Sequence, residues 1–255
     1  MANAKELYAY LNRSIPQTLS CKWDNDGAMC MSDPERKIQK VLLTLDVTVD
    51  AVEYAVKEGF DAIISHHPLI FSPMRSINGC DVKSRIITKL MRNGVSAFSF
   101  HTRLDAVDGG VNDCLCSVLG FENTEAFTVD GLPLGRVVNI APTTAKELAT
   151  TVKSKLAADQ VSFTCGDKVV KRLVVVGGAG KEMIDLALDS FADALLTGEV
   201  SYNAAIDASD GGLALIMAGH FFTENPVLSF LSSIIGSFDP TIITETYYSN
   251  LINHI

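Results

Sequence analysis

"AIISHHPLIF", residues 62–71, ends a short apolar run on two adjacent histidines, His66 and His67, followed at once by Pro68. The run has the length and composition of a strand buried on both faces. Neither strand packing nor a tight turn calls for paired imidazoles. They are either a hydrogen-bonded structural pair or a pair aimed at a ligand.

Outward from this stretch, strand and helix patterns alternate. Upstream, "KVLLTLDV" (40–47) reads as a strand, and Thr48 or Asp50 can cap the helix "AVEYAVKEGF", which Gly59 helps to stop. Downstream, the helix "DVKSRIITKLMRNG" ends at Gly94, and the strand "VSAFSF" (95–100) runs straight into "HTRLD". "GGVNDCLCSVLG" is a short helix. After Phe121 the pattern restarts with strand "LGRVVNI", helix "TTAKELATTVKSKLA", strands "QVSFTC" and "RLVVVGG", and helix "GKEMIDLALDSFA". Strand "DALLTG" (193–198), helix "SYNAAIDA", strand "LALIMAGH" (213–220), helix "TENPVLSFLSSIIG" and strand "TIITET" complete it. Such alternation predicts an α/β fold of two mainly parallel α/β lobes. The softest boundary lies at 121–133, giving lobes of 1–125 and 126–255, with the C-terminal segment able to pack back on the first.

Composition narrows the function. The 255 residues carry a formal net charge of −9 with a pI near 5.0. That argues against a nucleic-acid surface, which needs a Lys/Arg excess to neutralise phosphates. No apolar run reaches the ~18 residues of a membrane span, and the N-terminus lacks a signal-type apolar segment. The six cysteines include no C-x-x-C pair, so buried reduced thiols in a cytoplasmic protein are expected.

Polar residues gather where strands end. His66 and His67 follow one strand, His101 and Asp105 another, and His220, with Glu224 four residues on, a third. Ligands of open α/β sheets bind outside the carboxyl ends of strands. Four of the five histidines stand in these positions, and the fifth, His254, belongs to a solvated tail. Mixed imidazole and carboxylate groups suit Zn, Fe, Mn, Co or Ni better than Ca or Mg. Successive strand side chains diverge, so one ion can take both His66 and His67 only if the backbone turns there; otherwise each serves a different ion of a pair. Asp105 and Glu224 can bridge or share such ions. His101 reads as a partner behind the ligands or a proton carrier.

Other motifs carry less. "VVVGGAGKEM" (174–183) misses both phosphate-loop and dinucleotide-loop spacings and reads as a tight turn. Glu199 in "LLTGEVSYN" either lines the cleft or caps the next helix. "WDNDGA" (23–28) reads as a structural loop, and no Ser–His–Asp signature is present.

Taken in order, "WDNDGA", "SHHPLIF", "HTRLDAVDGGVND", "VVGGAG", "ADALLTGEVSYN" and "GHFFTE" resemble the Nif-three-like dinuclear-metal family, also known as GTP cyclohydrolase I type II homologues. The similarity spans Trp23 to Glu224. It implies His66, His67, Asp105, His220 and Glu224 as ligands of two divalent transition metal ions per subunit, with His101 lining the same cleft. It also implies a toroidal homohexamer of two-lobed subunits. Phe221 stands where the family often has Tyr, and Asp26 and Ala28 where it often has apolar residues. The implied activity is metal-dependent hydrolysis of a nucleotide-like small molecule, opening a purine ring at C8. His101 and Glu199 are then the proton carriers, and Arg75, Arg103 and Lys181 the candidates for a triphosphate. The alternative is a non-enzymatic, metal-containing binding or regulatory protein.

Overall fold

The computed structural model describes residues 2–252, so His254 lies outside the described residues. The chain forms two compact units, one of residues up to Val107 with Leu228–Ser249, the other of Asp108–Val227 with the residues from Asn250 on.

The first unit opens with α1 (Ala4–Ser14), where Asn3 and Glu6 form a reciprocal capping box. Then come β1 (Gly27–Cys30), β2 (Lys40–Thr44), α2 (Val49–Lys57), β3 (Ala62–Ser65), α3 (Val82–Asn93), β4 (Ser96–Ser99) and the short α4 (Thr102–Ala106). Thr48 is the cap of α2, its side chain accepting from the Ala51 N–H. Gly94 ends α3 in the left-handed conformation, at φ 68°, which costs a glycine little. β2, β3 and β4 pair in parallel, and β1 adds an antiparallel edge beside β4. Every residue of β3 and β4 is buried, which is why both read as unbroken runs.

The second unit holds α5 (Val111–Leu119), β5 (Glu125–Val129), β6 (Leu132–Thr144), α6 (Ala145–Leu156), β7 (Ser162–Phe163), β8 (Val169–Val175), α7 (Ile184–Asp189), β9 (Ala194–Thr197), α8 (Tyr202–Asp210), β10 (Ala214–Met217) and α9 (His220–Glu224). β8, β9 and β10 form a parallel centre. The β5–β6 hairpin beside β8, and β7 beside β10, add antiparallel pairings, so this sheet is mixed. Its two faces follow the strand period. Leu173, Val175, Leu196 and Ile216 pack in one apolar cluster, while Val174, Leu195 and Leu215 pack in the other. Each such side chain, fully buried, contributes roughly 1.5–3 kcal/mol.

The chain then returns to the first unit through α10 (Val227–Phe238) and β11 (Ile243–Thr246), which pairs in parallel with β2. Three local expectations change. The "QVSFTC" strand shrinks to two residues, because the chain turns away through Cys165 at φ 51°. "TENPVLSFLSSIIG" is broken between α9 and α10, where Pro226 has no N–H to continue a helix. "GKEMIDLALDSFA" begins as a 3-10 turn over Lys181–Met183 before α7. Among the described residues, no helix is long and apolar enough to cross a membrane. All six cysteines are unbridged, and burial pushes the Cys116 thiol up to about 12 and the Cys30 and Cys114 thiols to about 11.

Candidate functional site

In the first unit, β3 stops at Ser65 and the backbone turns. The Ser65 hydroxyl donates to the His67 carbonyl at 2.8 Å and lies 2.8 Å from the Ser99 hydroxyl at the end of β4. The turn removes the strand-like divergence of the two histidines. Their rings lie 4.8 Å apart, and His101 is 5.3 Å from His66 and 5.8 Å from His67, ring centre to ring centre. One ligand atom from each of His66, His67 and His101 lies within 4.8 Å of the others, and the three can hold a metal ion.

Their hydrogen bonds fix which nitrogen is presented. His66 Nδ1 lies 3.0 Å from the Phe100 carbonyl oxygen. A carbonyl only accepts, so Nδ1 carries the proton and Nε2 is the basic nitrogen. His67 Nδ1 meets Asp46 Oδ1 at 2.9 Å, and His101 Nδ1 meets Asp24 Oδ1 at 2.9 Å. A carboxylate or carbonyl behind Nδ1, orienting the ring and raising the basicity of Nε2, is the arrangement that metal-ligating histidines use. Asp105, on α4, places Oδ1 3.7 Å from His66 Nε2.

The "WDNDGA" loop supplies the base under His101. Asp24, its side chain fully shielded, accepts from His101 Nδ1 and from the Thr102 N–H and hydroxyl at 3.0 and 2.6 Å. Burial by itself would raise its pKa, but the bonds from His101 and Thr102 outweigh it and bring the value down to about 2. A depressed carboxylate stabilises the fold above its unfolded pKa, and the contribution is lost as pH falls through the folded value. Asp24→Asn is therefore expected to lower stability by on the order of 2 kcal/mol at pH 6. The gap from wild type should close between about pH 4 and pH 2, as read by urea unfolding across pH. A gap independent of pH would refute this account.

Asp26 accepts from Arg103 Nε at 3.0 Å and from the His101 N–H at 3.3 Å. Arg103 is fully buried; it also donates to Asn12 Oδ1 and the Ile15 carbonyl, and it lies over the Phe100 ring. This corrects its reading as a phosphate ligand, because every outward path for the guanidinium is closed. Asp26 is the counter-ion this buried arginine requires.

In the second unit, His220 and Glu224 stand four apart on α9, with Nε2 and Oε2 3.1 Å apart. Glu199 Oε1 lies 3.0 Å from His220 Nδ1, while the cap of α8 is Ser201. Glu199 therefore holds His220 and does not cap the helix. With Nδ1–H donating to Glu199, Nε2 turns its lone pair towards the Glu224 carboxylate. Only a cation between them, a second proton or a metal ion, makes that contact favourable. The donor set fits a divalent transition metal on this ground.

Glycines let the strand ends close around α9. At Gly178, φ 68°, an added Cβ would lie 2.1 Å from Glu224 Oε1, and at Gly198 it would lie 2.8 Å from the His220 Cα. The Gly177 and Gly178 N–H groups are used by Asn112 and Thr223, so this turn is a packing device and not an anion cradle. A cavity of about 280 Å³ in this unit is bordered by Glu199, His220, Phe221, Phe222 and Met217.

Asp46 and Asp24 are functional residues that the sequence motifs do not mark. Asp46 had a usable signal, since it follows the strand end of β2 just as the histidines follow theirs. Asp24 had none beyond a carboxylate-rich loop, because its partner lies 77 residues away.

Two α/β units with oxygen-backed histidines at their strand ends define the class, an α/β protein with a candidate metal site. The family follows from comparison: residues 2–251 match the profile of Duf34/NIF3 (NGG1p interacting factor 3), and the chain belongs to that family. The GTP cyclohydrolase 1 type 2 homolog of Clostridium perfringens is 34% identical over 222 residues, covering 84% of this chain and 83% of that protein. The protein of the same name from Clostridium acetobutylicum is 30% identical over 236 residues, covering 89% and 87%. The crystal structure of Staphylococcus aureus hypothetical protein SA1388 superposes with a TM-score of 0.90 at 25% identity, covering 99% of each chain.

Proposed function

We propose that this chain is a cytoplasmic dinuclear-metal protein and a metal-dependent hydrolase of a nucleotide-like small molecule. His66, His67 and Asp105 of the first unit and His220 and Glu224 of the second are the proposed ligands of two divalent transition metal ions. The observation that supports this most is the common second partner of the histidines. Nδ1 of each of His66, His67 and His220 faces a carbonyl or carboxylate oxygen, which makes Nε2 the donor for an ion, and the same arrangement at His101 leaves its Nε2 open to a proton. The names of the curated relatives support the nucleotide-like substrate, and the family resemblance supports assembly as a homohexamer.

Bound divalent ions would lower the pKa of a water towards neutrality and polarise the bond that it attacks. The chain's own residues handle the proton. His101 Nε2 is basic and can accept it, while Asp24 at Nδ1 stabilises the imidazolium that forms. Glu199, its side chain 62% exposed, is the second proton carrier and meanwhile orients His220. The reaction expected is hydrolytic C–N cleavage in a purine ring.

The test is anaerobic purification with metal analysis, then a turnover panel of nucleotides, phosphoesters and amides with GTP included. Roughly two ions per chain are expected, and the count should fall in the His66→Ala, His220→Ala double variant. An unchanged count would refute the ligand assignment. Asp105→Asn and Glu224→Gln should abolish turnover in a folded protein. Metal-loaded protein that turns over nothing in the panel would refute the hydrolase reading and favour a binding or regulatory role.

A further inference from the structure

Trp23 is the single tryptophan of the chain, and it is 65% exposed. Beside it Phe71 is 45% exposed. Two large aromatic rings left in water this close together forgo burial that would stabilise them in a core. Their position is also fixed. Asp24, the next residue after Trp23, is wholly shielded and held by His101 and Thr102. The Asn25 side-chain amide donates to the Ile70 carbonyl, tying the tryptophan loop to the phenylalanine loop. The exposed rings are thus mounted on a rigid base.

Both rings lie beside His101. Trp23 lies 6.1 Å from Phe71 and 6.3 Å from His101, and Phe71 lies 6.1 Å from His101. The interplanar angles are steep, 65°, 75° and 90°. Three rings set on edge to one another make an open corner that ends at His101.

From this geometry we infer that Trp23 and Phe71 form a stacking platform for a planar heteroaromatic ring, positioning it against His101. An open aromatic corner can attract either a flat ring or a cation. Divalent ions on the adjacent histidines would repel a cation, so a neutral ring is the occupant. This assignment rests on the metal-hydrolase reading and adds the side chains that recognise its substrate class. Trp23 and Phe71 are positioning residues that need not touch an ion.

The experiment uses metal-loaded full-length protein and guanosine as the probe, with ribose as the control. Guanosine should quench and shift the emission of Trp23, excited at its red edge, and ribose should not. In equilibrium dialysis with labelled guanosine, Trp23→Leu and Phe71→Leu should each weaken binding roughly 10- to 100-fold, as expected for loss of one stacking partner. Trp23→Phe should recover most of the affinity. Metal content, measured on the same samples, should not change. Equal affinity in the leucine variants, or guanosine bound with no response of Trp23, would overturn the platform and place the ring elsewhere, for example at Phe221 and Phe222. Emission already that of a buried indole and unmoved by guanosine would mean that a second copy covers the corner, which also overturns it. Wild-type protein that holds no metal yet binds guanosine with a response of Trp23 would support the platform and count against the ligand assignment.

Discussion

Arg103→Met is expected to destabilise the first unit by about 3–5 kcal/mol, because it breaks a buried ion pair from one side only. Arg103 is fully buried, and Asp26, 1% exposed at its side chain, meets its Nε at 3.0 Å. Methionine keeps much of the volume and the contact with Phe100 but leaves the Asp26 charge without its cation. Asp26 would retain only the bonds from the Ser20 hydroxyl and the His101 N–H. Urea unfolding should show the midpoint falling with little change in slope. Replacing both partners, Arg103→Met with Asp26→Leu, should recover a large part of the loss, since no uncompensated charge then remains. A single variant within 1 kcal/mol of wild type, or a double variant worse than the sum of the singles, would contradict the assignment of this pair as the anchor of the "WDNDGA" loop. The expected side effect is informative: Asp26 also holds the His101 N–H, so the single variant should disturb His101 as well.

Gly178→Ala carries the second large expectation, and it acts at the site. The φ of 68° alone makes alanine strained by about 1 kcal/mol or more. The new Cβ would also stand 2.1 Å from Glu224 Oε1 and 3.2 Å from His220 Nε2. Glu224 is buried, so its carboxylate can move only by leaving its present contact with His220. Metal affinity is expected to fall on the order of 10- to 100-fold, the size of effect seen when the supports of a ligand are disturbed. Competition with a chelator measures it. Gly59→Ala is the control, because Gly59 has a similar φ of 72° and no atom within 4 Å of the added Cβ. It should show the strain without the loss of metal. Equal metal retention in both variants would show that Gly178 does not set the position of Glu224.

Much of the first unit was legible residue by residue. β3 and β4 are runs of four buried residues, so they announced themselves as continuous apolar stretches. Thr48 and Gly94 marked helix ends because capping is chemistry between near neighbours. The "QVSFTC" pattern is longer than β7, whose two residues are defined by pairing with β10, a distant strand. The "WDNDGA" loop shows the same division. Its turn character could be read, but its two carboxylates act on residues 77 positions further along.

By itself the sequence determined which residues would stand at the strand ends, because the apolar runs stop at them and a chain cannot continue a buried strand through charged or imidazole side chains without partners. His66, His67, His101 and His220 are visible in that sense, Asp105 and Glu224 follow four residues after a histidine, and the family is legible from the same motifs. The tertiary structure decided how each histidine is aimed. His67 and His220 owe their Nδ1 partners to residues 21 positions away, His66 to one 34 away and His101 to one 77 away. It also decided that Arg103 faces inward and that Glu199 holds His220. These are contacts made only when the sheet brings separate strand ends together, and no local pattern encodes the orientation of a ring whose partner is distant in the chain.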